Sequence, residues 1–363
     1  MVNSKTLQVL ALSLLAANAC TPSEAPMDAG ASDAATTDAP PPIDAGSPDV
    51  VAPVDAPSPV DAPSPVDAPA PSAVSMTYPC RTIAIHAGAL FCGVGGIIVR
   101  IDTATLTESR PYSGSTVTIE SLAVDDGGLV WTERAPAMMS TNGAVRTCPL
   151  GGCGAAPTLL AMQQEPFDLA INATHAFFLR SNVLYSIERG GSRALRTLPR
   201  ITATPGNNGD VATDGTTLYW LDPNVAPAAG QVMACDPASC APRVVVGDVI
   251  GGRSLTVANG RVYVTADGET FSVRTDGSGR ERLGPGGVDV VADGRDVFWV
   301  GGASRGTEGE VYRCPVAGCA GAPTVMATGQ SSPWTLAADA THVYWSNLTS
   351  GGTTPMGLYR VAR

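Results

Sequence analysis

From about residue 80 onward, apolar and polar positions fall into a phrase that returns seven times. A short run of small or branched apolar residues, such as Leu122-Ala-Val124, Leu169-Ala-Ile171 or Leu336-Ala-Ala338, leads into an Asp- or Asn-headed turn. An apolar-aromatic run follows, as in Leu218-Tyr-Trp220, Val297-Phe-Trp299 and Val343-Tyr-Trp345. The turns begin at His86, Asp125, Asn172, Asp214, Asn259, Asp293 and Asp339, with separations of 39, 47, 42, 45, 34 and 46 residues. Four of the five Trp residues share one phase of this repeat. Ala stands two places before the turn at 84, 123, 170, 212 and 337, and Val at 257 and 291, small enough for strands crowded round an axis.

Asp/Asn-Gly pairs between apolar runs mark hairpin turns, and β-branched and aromatic residues suit a pleated surface. A third strand follows a Gly or Glu, as at Gly230-Gln-Val-Met and Glu310-Val-Tyr-Arg, and a fourth reads Pro242-Arg-Val-Val-Val. Four short strands every 40 to 45 residues are the pattern of a β-propeller blade. The expected fold is all-β: a seven-bladed β-propeller over 73–363, with a six-bladed ring as runner-up if the degenerate first copy is discounted. The last copy ends after three strands, so residues 73–79 are expected to supply its fourth and close the ring.

Leu218-Tyr-Trp-Leu-Asp222 resembles the YWTD repeat of low-density-lipoprotein-receptor-type propellers, and Arg274-Thr-Asp-Gly-Ser-Gly-Arg280 is similar to that family's third-strand turn. The related NHL-like bacterial propellers share the pattern. The resemblance covers roughly residues 75–363 and implies the fold. It brings no binding residues with it.

The first 72 residues read differently. Lys5 precedes a short apolar run, Leu7–Leu15, too short to span a bilayer and right for a signal peptide over 1–20. Its end, Ala17-Asn18-Ala19-Cys20, matches both an ordinary Ala-x-Ala cleavage site and a bacterial lipobox with Cys20 lipidated, although Ala17 stands where the lipobox usually has Leu. Lipidation is the expectation adopted. Residues 21–72 repeat Pro-Val-Asp-Ala-Pro-Ser without an aromatic, Lys or Arg, and are expected to form a disordered Pro/Asp/Ala-rich tether. Such a segment reaches from about 40 Å as a coil to about 160 Å extended.

The formal charge of −11 sits mostly in that tether, which holds Glu24 and eight Asp. The remainder balances 24 acids against 21 arginines. Without a basic stripe, nucleic-acid binding is not expected. Apart from Cys20 there are eight Cys. Cys148/Cys153, Cys235/Cys240 and Cys314/Cys319 share a Cys-x4-Cys spacing at the third-to-fourth-strand hairpins of blades two, four and six. In an exported chain these are expected disulfides, with Cys80–Cys92 assigned by elimination. Zinc is the alternative, but four ligands would have to come together from separate blades.

No Gly-x-Ser-x-Gly elbow, Walker loop or His-rich set appears. His175 and His342 occupy one repeat position, which reads as structural. No cofactor and no metal are expected. The connections between second and third strands are long in blades two, four, six and seven, near 133–142, 222–230, 301–309 and 347–356. Loops varied on a rigid ring carry recognition. The leading expectation is therefore a monomeric, non-enzymatic binding module for a protein or glycan at that face, held to the cell envelope, outer membrane or cell surface through Cys20 and secreted without the lipid. Arg134, Asp222, Arg305, Glu308 and Trp334 are the candidate binding residues. The rivals are a lyase- or lactonase-like propeller enzyme with a central site, using carboxylates such as Asp168 or Asp289, and an envelope protein with no specific ligand.

Overall fold

The structure is a computed structural model, and it describes residues 70–114, 116–135, 143–180, 183–199, 209–222, 230–301, 308–349 and 353–363. The chain divides into two units, Met1–Val60 and Asp61–Arg363, and the described residues all belong to the second. Cys20 and almost all of the expected tether lie outside them, as does Arg305.

The chain enters through β1 (Ser72–Ser75) and then builds seven four-stranded antiparallel sheets. Blade one is β2 (Thr82–His86), β3 (Ala89–Val94), β4 (Ile97–Asp102) and β5 (Glu108–Ser113). Blade two is β6 (Thr118–Asp125), β7 (Gly128–Arg134), β8 (Ala144–Cys148) and β9 (Thr158–Met162). Blade three is β10 (Leu169–Ile171), β11 (His175–Arg180), β12 (Val183–Glu188) and β13 (Leu195–Leu198). Blade four is β14 (Val211–Thr213), β15 (Leu218–Asp222), β16 (Gly230–Cys235) and β17 (Arg243–Val249). Blade five is β18 (Ser254–Ala258), β19 (Arg261–Thr265), β20 (Thr270–Arg274) and β21 (Glu281–Gly284). Blade six is β22 (Gly287–Ala292), β23 (Asp296–Gly301), β24 (Glu308–Pro315) and β25 (Thr324–Ser331). Blade seven is β26 (Pro333–Ala338), β27 (His342–Asn347), β28 (Gly357–Ala362) and β1, which pairs with β28 as the expected closing strand. The fold is a seven-bladed β-propeller.

The period of two along a strand explains the aromatic pairs of the repeat. Trp131, Trp220, Trp299 and Trp345 are fully buried against the preceding blade, while Val130, Tyr219, Phe298 and Tyr344, one residue earlier, pack against the following blade. The apolar core is accordingly seven clusters, one between each pair of neighbouring blades. The seventh joins Tyr344 and Leu358 of blade seven to Ile83 and Leu90 of blade one.

The repeated turns are made by their first residue. Oδ1 of Asp214 accepts from the amides of Thr216 and Thr217, and Oδ1 of Asp339 accepts from those of Thr341 and His342. Asn172 does the same for Thr174 and His175. His175 and His342 each contact the preceding Thr hydroxyl at 2.8 Å, a repeated structural arrangement. The shorter copy in blade five turns through Asn259 and Gly260, both at positive φ (52° and 69°), which matches the twist of a two-residue hairpin. All four expected disulfides form: Cys80–Cys92, Cys148–Cys153, Cys235–Cys240 and Cys314–Cys319. Two arginines at equivalent places clamp blades together at the turn face. Arg189 bonds Asp125 and the carbonyl of Asn172, and Arg363 bonds Asp293, Asp296 and the carbonyl of Asp339.

Candidate functional site: the axial cavity

Alternating strand direction gives the ring two faces. Inner strands begin, and second strands end, on what we term the loop face; the first-to-second and third-to-fourth turns lie on the turn face. The seven inner strands surround an axial cavity of about 980 Å³. Register sets what lines it. Ile83, Leu122, Leu169, Val211, Leu255, Val290 and Leu336 pair with the Trp-phase residue of the second strand and are buried. The residue before each is short and polar without exception: Thr82, Ser121, Asp168, Asp210, Ser254, Asp289 and Thr335. These seven form a ring at one height. One step nearer the loop face, Arg81, Glu120, Phe167, Arg253, Val288 and Trp334 line the mouth.

Three members of the polar ring staple one blade to the next. Thr82 Oγ1 accepts from the amide of Leu122 at 3.2 Å, Asp210 Oδ2 from that of Leu255 at 2.7 Å, and Asp289 Oδ2 from that of Leu336 at 2.9 Å. The second oxygens of Asp210 and Asp289 take the amides of Val211 and Val290, and Asp289 also accepts from Ser254 Oγ. Asp168 is the one carboxylate of the ring without such a bond among the described residues. The amide it would staple, that of Val211, is already held by Asp210, and its carboxylate has no hydrogen bond among the described residues.

Water can reach these carboxylates along the axis, yet protein atoms surround them as they would an interior group. Desolvation therefore dominates and favours the neutral acids. It pushes Asp210 up to about 7 against the amide bond from Leu255. Asp168 is held well above the usual carboxylate range by burial, reinforced by the charges of Asp210, Asp289 and Glu120 and opposed by Arg81. Burial also raises Asp289, against its hydrogen bonds. Among the described residues no three His, Cys, Asp or Glu side chains come together as a metal site requires.

The candidate binding residues fare unequally. Trp334 stands at the cavity mouth with 45% of its surface exposed. Arg134 is engaged: its Nε meets Glu120 Oε1 at 2.7 Å, while Arg81 Nη2 takes Glu120 Oε2 at 2.6 Å. Glu308 is exposed at the start of β24. Asp222 is only 2% exposed, because the β15–β16 ladder continues through it to Gln231. Asp168 and Asp289, read from the sequence as possible central carboxylates, do line the axis, and Asp210, Arg81, Glu120 and Arg253 join them. The recurrent Ser, Thr or Asp one place before each inner apolar residue was the signal for the ring.

No protein family matches the chain, and no curated protein matches its sequence. Solved structures match in fold. A chain of a mitotic checkpoint complex gives a TM-score of 0.59 at 11% identity, covering 87% of this chain and 99% of that one. A catalytically inactive virginiamycin B lyase from Staphylococcus aureus, solved with quinupristin, gives 0.56 at 12% identity over 78% of this chain and 94% of its own. A chain of a nidogen/laminin complex gives 0.50 at 18% identity over 66% and 92%. What this chain shares with these proteins is the β-propeller fold.

Proposed function

We propose that this propeller is a binding module that takes a protein or glycan ligand at its loop face, with the axial cavity receiving a polar group of that ligand. One observation carries the reading. Eight large apolar side chains are exposed among the described residues. Met76, Met162, Ile250, Trp334 and Met356 stand on the loop face, and the other three, Leu159, Leu195 and Val244, lie on outermost strands. Of the five on the loop face, Trp334 lines the mouth of the axial cavity, and an exposed aromatic beside a polar, concave mouth suits a recognition site. Trp334 supplies a flat amphipathic surface beside acids and arginines able to orient hydroxyl or amide groups.

The test is a screen of the full-length protein against glycans and envelope polypeptides, followed by affinity measurement. Trp334→Ala should weaken the recovered ligand at least about tenfold, the loss of a buried aromatic anchor, without changing the melting temperature. An unchanged affinity rejects the loop-face reading.

A second reading rests on Asp210. A carboxyl group titrating near neutrality suits proton transfer, as a propeller enzyme would need. A ligand chemically altered by the wild type, bound but unaltered by Asp210→Asn, would establish it.

Four disulfides favour an oxidising, exported setting. Among the described residues no helix is long and apolar enough to cross a membrane. On the apolar run Leu7–Leu15 followed by Ala19-Cys20, we propose lipidated Cys20 as the anchor, with residues 21–72 as the tether. Cys20→Ala should move the protein from the membrane fraction to the soluble fraction; wild type already soluble with an unmodified N-terminus rejects the anchor.

A further inference from the structure

A second cavity, of about 460 Å³, opens on the turn face between blades one and two. Its apolar wall is Phe91 and Leu150, and its polar lining is His86, Arg100, Ser109 and Arg110. Arg100 lies in β4 opposite Phe91 and is half-buried. Among the described residues its guanidinium makes no hydrogen bond, ion pair or ring contact. Other arginines of the ring that are at least partly buried behave differently: Arg146 meets Glu133 at 2.6 Å, Arg313 meets Asp296 at 3.0 Å, and Arg189 and Arg363 each hold a carboxylate.

The carboxyl of Asp102 is held below its ordinary value chiefly by the Thr105 amide and in part by the charge of Arg100, but no neighbouring acid gives the guanidinium a hydrogen bond among the described residues. Asp102 is turned into its own hairpin, accepting from the amides of Ala104 and Thr105 and from the Thr105 hydroxyl. Asp126 sits on His86 Nε2 at 3.0 Å. Glu108 is exposed and makes no ion pair with Arg100. Arg110 spends one donor on the Tyr78 hydroxyl at 3.1 Å and brings a second positive charge to the same cavity. A partly desolvated guanidinium with no acceptor is costly, and its planar fork matches a carboxylate.

We infer that this cavity binds a carboxylate carried on an apolar group, the carboxylate held by Arg100 with Arg110 beside it and the apolar part against Phe91 and Leu150. The site lies on the face opposite the proposed ligand mouth and stands whether or not that reading survives.

The probes are benzoate, neutral benzamide and inorganic sulfate, titrated into the full-length protein by calorimetry and ligand-observed NMR. Benzoate should bind and benzamide should not. Arg100→Gln should weaken benzoate at least about tenfold, the worth of a charge-assisted pair, while Arg193→Gln, removing a blade-three donor to the Leu159 carbonyl of blade two, should leave it unchanged. Arg110→Gln, at an exposed position, should also weaken it and carries the test if Arg100→Gln does not fold. The inference is overturned if benzoate binds neither more tightly than benzamide nor more tightly than sulfate. It is equally overturned if the Arg100 and Arg110 variants bind like wild type, or if Arg193→Gln weakens binding as much as they do.

Discussion

Deleting residues 72–76 should lower the melting temperature by about 10 °C, the shift that several kcal/mol produces in a domain of this size. The segment is β1, whose Ser72, Ala73 and Ser75 pair with Arg360, Tyr359 and Leu358 of β28. Those partners are not peripheral. Leu358 is fully buried and belongs to the cluster between blades seven and one, and Val74 packs on that same cluster. The Tyr359 hydroxyl also contacts Met76 Sδ. Removing the strand uncovers apolar surface and leaves unpaired backbone groups on β28, an open edge able to recruit another chain. The loss should therefore appear in differential scanning calorimetry together with self-association in light scattering. A melting temperature within a degree or two of wild type would mean that three strands suffice in blade seven.

The second large effect is a rise in stability as pH falls from 8 towards 5. Asp168, Asp210 and Asp289 all have carboxyl groups raised above the ordinary value of 3.8 by burial at the axis, Asp210 to about 7. A raised acid holds its proton in the native state where the unfolded chain has already released it. Its contribution is fully present below about pH 4 and is lost as pH rises through about 7. The turn residues act in the opposite sense. Asp214, Asp293 and Asp339 are lowered by hydrogen bonds that outweigh their desolvation, Asp293 to about 2 with Arg363 as the leading favourable partner. Their contribution is present above 3.8 and fades as pH falls towards 2. The two groups together predict a stability maximum near pH 4. Asp168→Asn separates them, because that carboxylate has no donor to lose: it should raise the melting temperature at pH 8 by a few degrees and leave the acid limb unchanged. A melting temperature flat from pH 5 to 8 in wild type, or an equal loss at both pH values in the variant, contradicts the assignment.

The ring was legible because the repeat is a packing device. A Tyr-Trp or Phe-Trp pair on one strand must face two directions, and in a radial array those directions are two neighbouring blades. The disulfides were legible because each Cys-x4-Cys pair brackets a hairpin. The axial acids were only partly legible. A Ser, Thr or Asp at the start of a short strand has an ordinary local explanation, and only closure of the ring puts all seven at one height. Nothing in the local sequence of Asp168 distinguishes it from Asp210; the difference lies in which of them holds the amide of Val211. The burial of Asp222 was not legible, because it follows the aromatic run where a loop was expected, whereas the ladder runs on to Gln231. Arg134 and Glu120 lie 14 residues apart, and Arg81 and Glu120 lie 39 apart, so their shared ion pair could not be seen as adjacency.

The central claim is that recognition occurs at the loop face around the axial mouth. Hydrogen–deuterium exchange of the full-length protein, with and without the ligand found by screening, tests it most directly. The account predicts protection at the starts of the inner strands, around residues 81–83, 120–122, 167–169, 253–255 and 334–336, with the disulfide hairpins at 148–153, 235–240 and 314–319 unchanged. Protection confined to those hairpins, with the inner-strand starts exchanging as in the free protein, would contradict it.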